Sequence, residues 1–173
     1  MSSPGSSIPA GLGFGPWGQP VRVRIDAIPV ALFARAVKDR NPCYSSEVAA
    51  RAAGLAGVVP PPTFTFVMTH GGSLPDLQPS GGSGAMMPPD SGLSPDGTSE
   101  IGLYLHGEQI FEYHRTPIAG DLLEGRMRVS DEYVKQGRRG EMRMTVLETQ
   151  WSDAATGEPV VTEQTVSVFL ANG

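Results

Sequence analysis

From residue 101 onward, apolar and polar residues alternate with a period of two. Side chains two residues apart point to the same side of a β-strand, so this pattern predicts strands with one apolar face. Turn-forming residues interrupt the pattern at 120–121, 136–140 and 153–157, which predicts long antiparallel strands joined by short turns. The residues expected to share a face are Leu123, Gly125, Met127 and Val129; then Met142, Met144 and Val146, with Leu147 and Trp151 opposite; then Val166, Val168 and Leu170.

The first half of the chain has helical periodicity instead. Within the apolar-periodic stretch from Ile28 to Val37, four residues fall on one helical face: Val30, Phe33, Ala34 and Val37. Asp39-x-Asn41-Pro42 is typical of the turn that ends a helix. A short alanine-rich helix is expected over 47–54. A third helix, Pro62 to His70, is entered through prolines, which a first helical turn tolerates.

A sheet with one apolar face must have that face covered. The segment from Pro62 to His70 is apolar on most sides and is the available cover. Residues 21–25 alternate apolar and basic residues, which weakly indicates a short edge strand. The order of elements therefore predicts an α+β domain in which an antiparallel sheet wraps around one central helix.

Two segments lack any periodicity. Residues 1–20 and about 71–100 together hold 12 of the 22 glycines and 9 of the 16 prolines. Such segments cannot bury enough apolar surface to offset the entropy lost on ordering. We expect a disordered leader over 1–20, although Phe14 and Trp17 can dock on the domain, and a domain over 21–173 with an insertion at about 71–100. That insertion is either a flap over a site or a tolerated loop.

Composition narrows the class of protein. The chain has 173 residues, of which 39% are hydrophobic, and this fits one domain with a real core. A net charge of −5 argues against nucleic-acid binding, and no apolar run reaches the roughly 20 residues of a membrane helix. The single cysteine, Cys43, excludes an internal disulfide and fits a reducing, cytoplasmic location. Cysteine and histidine are too few and too scattered for a zinc site, so no metal is expected.

The segment Asp39-Arg40-Asn41-Pro42-Cys43-Tyr44 resembles the G-D-x-N-P-[LIV]-H signature of MaoC-like hydratases and dehydratases. Three positions differ: Lys38 replaces the glycine, Cys43 stands at the aliphatic position, where the family tolerates any small apolar residue, and Tyr44 replaces the histidine. Five further short matches follow in the right order: Pro61–Phe64, Leu105–Gln109, Phe111–Arg115, Gly120-Asp121 and Lys135–Gly140. Together, over about 25–170, they resemble the N-terminal, FAS1-like dehydratase type. That type is similar to the non-catalytic subunit of heterodimeric (3R)-hydroxyacyl-carrier-protein dehydratases.

The resemblance implies a hot-dog fold, no cofactor, and a substrate that is an acyl thioester of CoA or of acyl carrier protein. In catalytic members the Asp and the His of the signature act on one water, and the imidazole exchanges a proton near neutral pH. The resemblance makes Asp39 and Asn41 the candidate catalytic residues here. A phenol with an ordinary pKa near 10 accepts protons poorly at pH 7, so Tyr44 cannot replace the histidine. The isolated chain should be inactive or severely slowed.

The resemblance also implies that the start of the central helix binds the thioester, since N–H groups there polarise its carbonyl. The candidate substrate-binding residues are Pro62, Thr63, Phe64, Phe66 and His70. Each candidate has a structural alternative. Asx residues also shape turns, phenylalanines also fill cores, and His70 can be an ordinary core or surface histidine.

The first hypothesis is therefore a dehydratase or hydratase subunit that shapes the acyl-binding tunnel. Its partner, preferably in a heterodimer, would be a MaoC-like subunit carrying an intact D-x-N-P-x-H segment. The second is a thioester-binding or scaffolding hot-dog protein, and the third is a homodimeric enzyme using Asp39 with another acid. Hot-dog thioesterases commonly carry an acidic residue on the central helix, which Pro62 to His70 lacks. Arg138 and Arg139 are either a solvated hairpin tip or a contact for CoA phosphates or carrier protein.

Overall fold

The computed structural model describes residues 15–71, 102–138 and 140–171, with side chains described for 15–68, 105–138 and 140–170. Five strands, three α-helices and one 3₁₀ turn are present in these ranges. In chain order they are β1 (Val21–Arg24), α1 (Ala27–Ala36), the 3₁₀ turn (Pro42–Tyr44), α2 (Glu47–Ala52), α3 (Phe64–Gly71), β2 (Gly102–Tyr113), β3 (Leu122–Gly137), β4 (Gly140–Asp153) and β5 (Pro159–Ala171).

All five strands form one antiparallel sheet in the order β1-β3-β4-β5-β2. The consecutive strands β3, β4 and β5 form the predicted meander, and β1 is the predicted short edge strand. β2 returns to the far edge and pairs only with β5 among the described strands. The register shifts between Val129 and Asp131 in β3 and between His106 and Glu108 in β2, where one extra residue bends each strand.

The predicted alternation separates two apolar clusters on opposite faces of the sheet. The larger cluster joins the inner face to the helices and contains Val30, Ala34, Phe64, Met68, Leu123, Met127, Leu147, Trp151 and Val161 among others. The smaller cluster lies on the outer face and contains Met144, Val146, Val166 and Val168. Since α3 contributes Phe64 and Met68 to the inner core, the sheet covers the helix as the α+β prediction requires.

Gly125 makes room for the largest side chain of this core. A Cβ atom at this position would lie 2.4 Å from the ring of Trp151, which is fully buried. Only glycine fits where β3 passes the indole.

Two local expectations were inaccurate. The central helix begins at Phe64 and not at Pro62, because Pro62 and Thr63 form a turn in which the Phe64 amide donates to the Pro61 carbonyl at 2.9 Å. Val37, expected on the buried face of the first helix, lies beyond the end of α1 and is half exposed.

Part of the predicted leader contacts the domain. The amides of Gly15 and Gly18 donate to the carbonyls of Val129 and Met127 on β3, at 2.9 and 2.7 Å. Trp17 lies under the guanidinium of Arg128, 4.3 Å from Cζ to the ring centre. Residues 1–14 of that leader and almost all of the predicted insertion at about 71–100 lie outside the described residues. Within the described ranges, no helix is long and apolar enough to cross a membrane.

Candidate functional site

The Asx turn after α1 is formed by two side chains that bond to the backbone. Asp39 Oδ1 accepts a hydrogen bond from the amide of Asn41, and Asn41 Oδ1 accepts one from the amide of Cys43, each at 3.0 Å. The amide of Asp39 in turn donates to the carbonyl of Ala34 at 2.9 Å, which ties the turn to the end of α1. Asp39 and Asn41, the candidate catalytic residues, therefore also shape the loop that carries them.

Lys38 has a backbone conformation that glycine prefers. Its φ is +61°, and it is the only non-glycine residue with positive φ in the part of the chain that the structure describes. A left-handed conformation costs an L-residue roughly 1–2 kcal/mol. The family signature has glycine at this position, and glycine adopts this conformation freely. In this chain Lys38 keeps the same backbone conformation and bears the energetic cost.

Tyr44 is 8% exposed and packs into the inner core. Burial raises the pKa of its hydroxyl above the ordinary value, and the neighbouring Asp39 carboxylate raises it further. Tyr44 is therefore a weaker acid than a free phenol and stays protonated at neutral pH.

An open cleft of about 450 Å³ lies between α1 and the Asx turn. Besides Asp39, Asn41 and Tyr44, its lining contains two alanines, a serine and three basic residues. These are Ala31, Ala34, Arg35, Lys38, Arg40 and Ser45. The structure thus brings together the two candidate catalytic residues and the tyrosine at the histidine position.

The start of α3 is held from two sides. The ring of Phe64 packs edge-on against Phe33 of α1 with 5.6 Å between ring centres. On the other side, the Tyr113 hydroxyl of β2 donates a hydrogen bond to the Pro62 carbonyl, and burial raises the pKa of Tyr113 to about 12. The first amides of α3 therefore have a fixed position. The amide of Phe64 donates to the Pro61 carbonyl at 2.9 Å, so the amides that follow it are the ones left without partners in the first turn.

The predicted substrate-binding residues differ in their surroundings. Pro62 and Thr63 are exposed, whereas Phe64 is a core residue with 4% exposure. Phe66 is half buried, and its ring lies edge-on to His106 at 5.5 Å between centres. His70 lies on α3, but its side chain is outside the described residues.

Sequence reasoning missed a polar residue on the same helix and a polar cluster beneath it. Thr65 is 1% exposed, and its hydroxyl has no hydrogen-bond partner among the described residues. On the inner face of β5, Glu163 is also 1% exposed and accepts a hydrogen bond from the Trp151 indole at 2.6 Å. Gln109 donates to its other oxygen at 3.4 Å and accepts from the Thr165 hydroxyl at 2.6 Å.

Burial raises the pKa of Glu163 from its ordinary value of 4.5 to about 7, although the indole hydrogen bond opposes the shift. The sequence signal for this residue was weak. Glu163 follows Val161 by two positions, so the alternation placed it on the inner face, but it lies in a polar run, 162–165, that suggested no burial.

Arg115, from one of the matched segments, joins three parts of the sheet. Its guanidinium reaches Asp121 at 2.6 Å and Asp153 at 3.1 Å. Asp121 also accepts from the amide of Ile118 at 3.0 Å. Arg115 thus ties together the end of β2, the start of β3 and the end of β4. At the opposite end of β3, Arg138 is exposed in the turn, and Arg139 lies outside the described residues.

Comparison with known proteins identifies the family. The model for the "FAS1-like, dehydratase domain region" matches residues 13–163. A UPF0336 protein of Thermobifida fusca is 30% identical over 149 residues, which cover 86% of this chain and 85% of the relative. A UPF0336 protein of Clavibacter michiganensis is 34% identical over 141 residues, which cover 82% and 80%.

Solved structures have the same fold. A chain of the ChsH1–ChsH2 complex from Mycobacterium tuberculosis superposes with a TM-score of 0.69 and 25% identity, covering 91% of this chain and 85% of that one. A chain of the HadBC (3R)-hydroxyacyl-ACP dehydratase complex from the same organism gives a TM-score of 0.63 at 23% identity, covering 93% and 99%. The MaoC-like dehydratase of Rhodospirillum rubrum gives 0.57 at 17% identity, covering 94% and 95%.

These matches confirm the hot-dog fold and the family resemblance inferred from the six short sequence matches. The protein belongs to the FAS1-like dehydratase family and has the hot-dog fold of the MaoC-like dehydratases.

Proposed function

We propose that this chain is one half of a (3R)-3-hydroxyacyl-thioester dehydratase, or enoyl-thioester hydratase in the reverse direction, and that its partner supplies the Asp/His dyad. One observation carries the proposal. The Asx turn is intact, but the position of its catalytic histidine holds Tyr44, a buried phenol whose pKa is raised by burial.

The chemistry explains why that exchange matters. Removing water from a 3-hydroxyacyl thioester takes a proton from the α-carbon and delivers one to the departing hydroxyl. Both transfers need a group that gains and loses a proton near pH 7. His106 contacts Phe66, and His114 Nε2 is 2.9 Å from the Thr162 hydroxyl, so neither belongs to the described lining of the cleft.

The inner side of the fold remains suited to an acyl thioester. The amides that follow Phe64 in the first turn of α3 lie at the positive end of the helix dipole and can polarise a thioester carbonyl. We assign Pro62, Thr63 and Phe64 to the carbonyl end of the substrate and Phe66 and His70 to the acyl chain. In this proposal Asp39 and Asn41 hold the turn in shape, while the proton transfers take place on the partner's dyad.

The far edge of the sheet supports pairing with a second subunit. β2 has 12 residues and is paired along one side only among the described strands. A long open edge is a template for strand addition. Large apolar side chains are exposed along β2 and on the neighbouring α3: Leu105, Ile110, Tyr113 and Val67. A second hot-dog subunit aligned antiparallel to β2 would cover this edge, and both ChsH1–ChsH2 and HadBC are complexes.

A thioester-binding scaffold is the second candidate. It is favoured by the fact that one oxygen each of Asp39 and Asn41 is used within the turn. The two candidates differ in whether the chain is required for turnover. The proposed setting of the enzyme is the cytoplasm.

The test is the hydration of crotonyl-CoA, which is monitored as the loss of enoyl absorbance. The chain should be tested alone, and together with a co-expressed MaoC-like subunit that carries D-x-N-P-x-H and is encoded beside it. We expect no rate above buffer for the chain alone and a clear rate for the pair. Robust hydration by the chain alone would refute the proposal. A pair no faster than the partner alone would favour the scaffold.

A further inference from the structure

We propose that the cleft beside the Asx turn binds a small phosphate monoester. This goes beyond the proposed function, because the site is on this chain alone and lies where a catalytic member would hold its dyad.

The lining has an excess of positive charge. Arg35, Lys38 and Arg40 are exposed cations around the cleft, and Asp39 is the one acidic residue in the described lining. Within the described residues, none of the three cations forms an ion pair. The cleft thus carries a net charge of +2 on a chain whose net charge is −5.

A phosphate monoester carries about −1.5 to −2 charges at pH 7 and three acceptor oxygens. Its charge would neutralise the cleft, and guanidinium groups bind its oxygens in a forked geometry. The volume of about 450 Å³ lies within the range of small-molecule pockets, so the phosphate can bring a compact organic group with it. Ala31 and Ala34 leave space for that group on the α1 side.

Two of the three departures from the family signature, Lys38 and Tyr44, line this cleft. Lys38 puts an ammonium group where the signature has glycine, and it does so in a backbone conformation that disfavours lysine. Strain of this kind points to a function for the side chain that causes it. Tyr44 replaces a titrating imidazole by a buried hydroxyl that stays protonated beside Asp39 and Asn41. The two changes remove proton-transfer chemistry and add one cation that can bind an anion.

The experiment is isothermal titration calorimetry on the full chain with two matched pairs of probes. 4′-Phosphopantetheine is compared with pantetheine, and AMP with adenosine. We expect at least one phosphorylated probe to bind about tenfold more tightly than its uncharged match, and the tighter pair identifies the source of the phosphate. Equal binding within both pairs would overturn the proposal.

Variants separate the cleft from general electrostatics. Lys38→Gly should weaken phosphate binding about two- to fivefold, the effect of removing one exposed charge partner. It should also raise the melting temperature, because glycine adopts φ +61° freely. A folding defect therefore cannot explain the loss. Arg51→Gln removes one positive charge outside the lining and should leave affinity unchanged. If both variants weaken binding equally, or if Lys38→Gly has no effect, the cleft is not the site.

Discussion

Glu163→Gln should make the protein more stable than the wild type, and the gain should grow as pH rises. The carboxyl group of Glu163 is buried on the inner face of the sheet, where its pKa is about 7 against an ordinary 4.5. Between these two pH values the folded chain keeps a proton that the unfolded chain has released. The free energy of unfolding therefore falls as pH rises through this window and levels off above pH 7.

The size of the effect follows from the shift. A difference of about 2.5 pKa units corresponds to about 3 kcal/mol, at 1.36 kcal/mol per unit. About 1 kcal/mol of this is already lost at about pH 5.5, so the contrast between pH 5.5 and pH 8 is about 2 kcal/mol. The side-chain oxygen of the introduced glutamine can still accept the hydrogen bond from the Trp151 indole. The side-chain amide of Gln109 can turn so that its oxygen accepts a hydrogen bond from the nitrogen of the introduced glutamine.

The assay is urea unfolding at both pH values, followed by tryptophan fluorescence. Subtracting wild type from variant cancels the titration of every other group. Glu112 is exposed, so Glu112→Gln is a control for the loss of one negative charge without burial. A stability difference for Glu163→Gln that is the same at both pH values would show that Glu163 ionises as freely in the folded chain as in the unfolded one, and would refute the reasoning.

Three further predictions concern the sheet. Gly125→Ala places a Cβ 2.4 Å from the Trp151 ring and should lower the free energy of unfolding in urea by about 1–3 kcal/mol. The control is Gly57→Ala, whose Cβ meets nothing closer than 3.9 Å and which should cost little. Equal losses of stability in the two variants would contradict the packing at Gly125. Arg115→Lys cannot hold Asp121 and Asp153 together and should lower the free energy of unfolding by about 1–2 kcal/mol. Arg22→Lys, at a single exposed ion pair, should lower it by under about 0.5 kcal/mol. No difference between the two variants in thermal unfolding would count against the bridge. Ile110→Lys on the open edge of β2 should abolish assembly with the partner in sedimentation experiments, without lowering the melting temperature of the single chain. The control Val134→Lys on β3 should not affect assembly. A complex that survives Ile110→Lys would place the interface elsewhere.

The sheet was predictable because the period-two pattern is strong over β3, β4 and β5. Leu123 and Met127 lie on the inner face, and Met144 and Val166 lie on the outer face, as the alternation required. The Asx turn was also predictable, since Asp39 and Asn41 bond to backbone amides two residues on, which is a local property of these residue types.

Other features depend on contacts between segments far apart in the chain. Glu163 is buried because Trp151 and Gln109 reach it from β4 and β2, and no local pattern reports such partners. The left-handed conformation of Lys38 could be expected only through the glycine of the family signature, because lysine by itself favours negative φ. Arg115 acquires its role only when the start of β3 and the end of β4 bring Asp121 and Asp153 to its guanidinium.

The account rests on the claim that the proton transfers occur on the partner and not at Asp39. The most direct measurement is kcat for crotonyl-CoA hydration by the assembled pair carrying Asp39→Asn in this chain, beside a pair carrying His→Ala in the partner's D-x-N-P-x-H segment. Asparagine retains an oxygen that accepts from the Asn41 amide, so the turn should survive the change. We predict a kcat within about twofold of wild type for the pair carrying Asp39→Asn. The pair carrying His→Ala in the partner should lose roughly 100-fold or more in kcat, which is the effect of removing a general acid or base. A loss of that size from Asp39→Asn, in a pair that still assembles, would contradict the account.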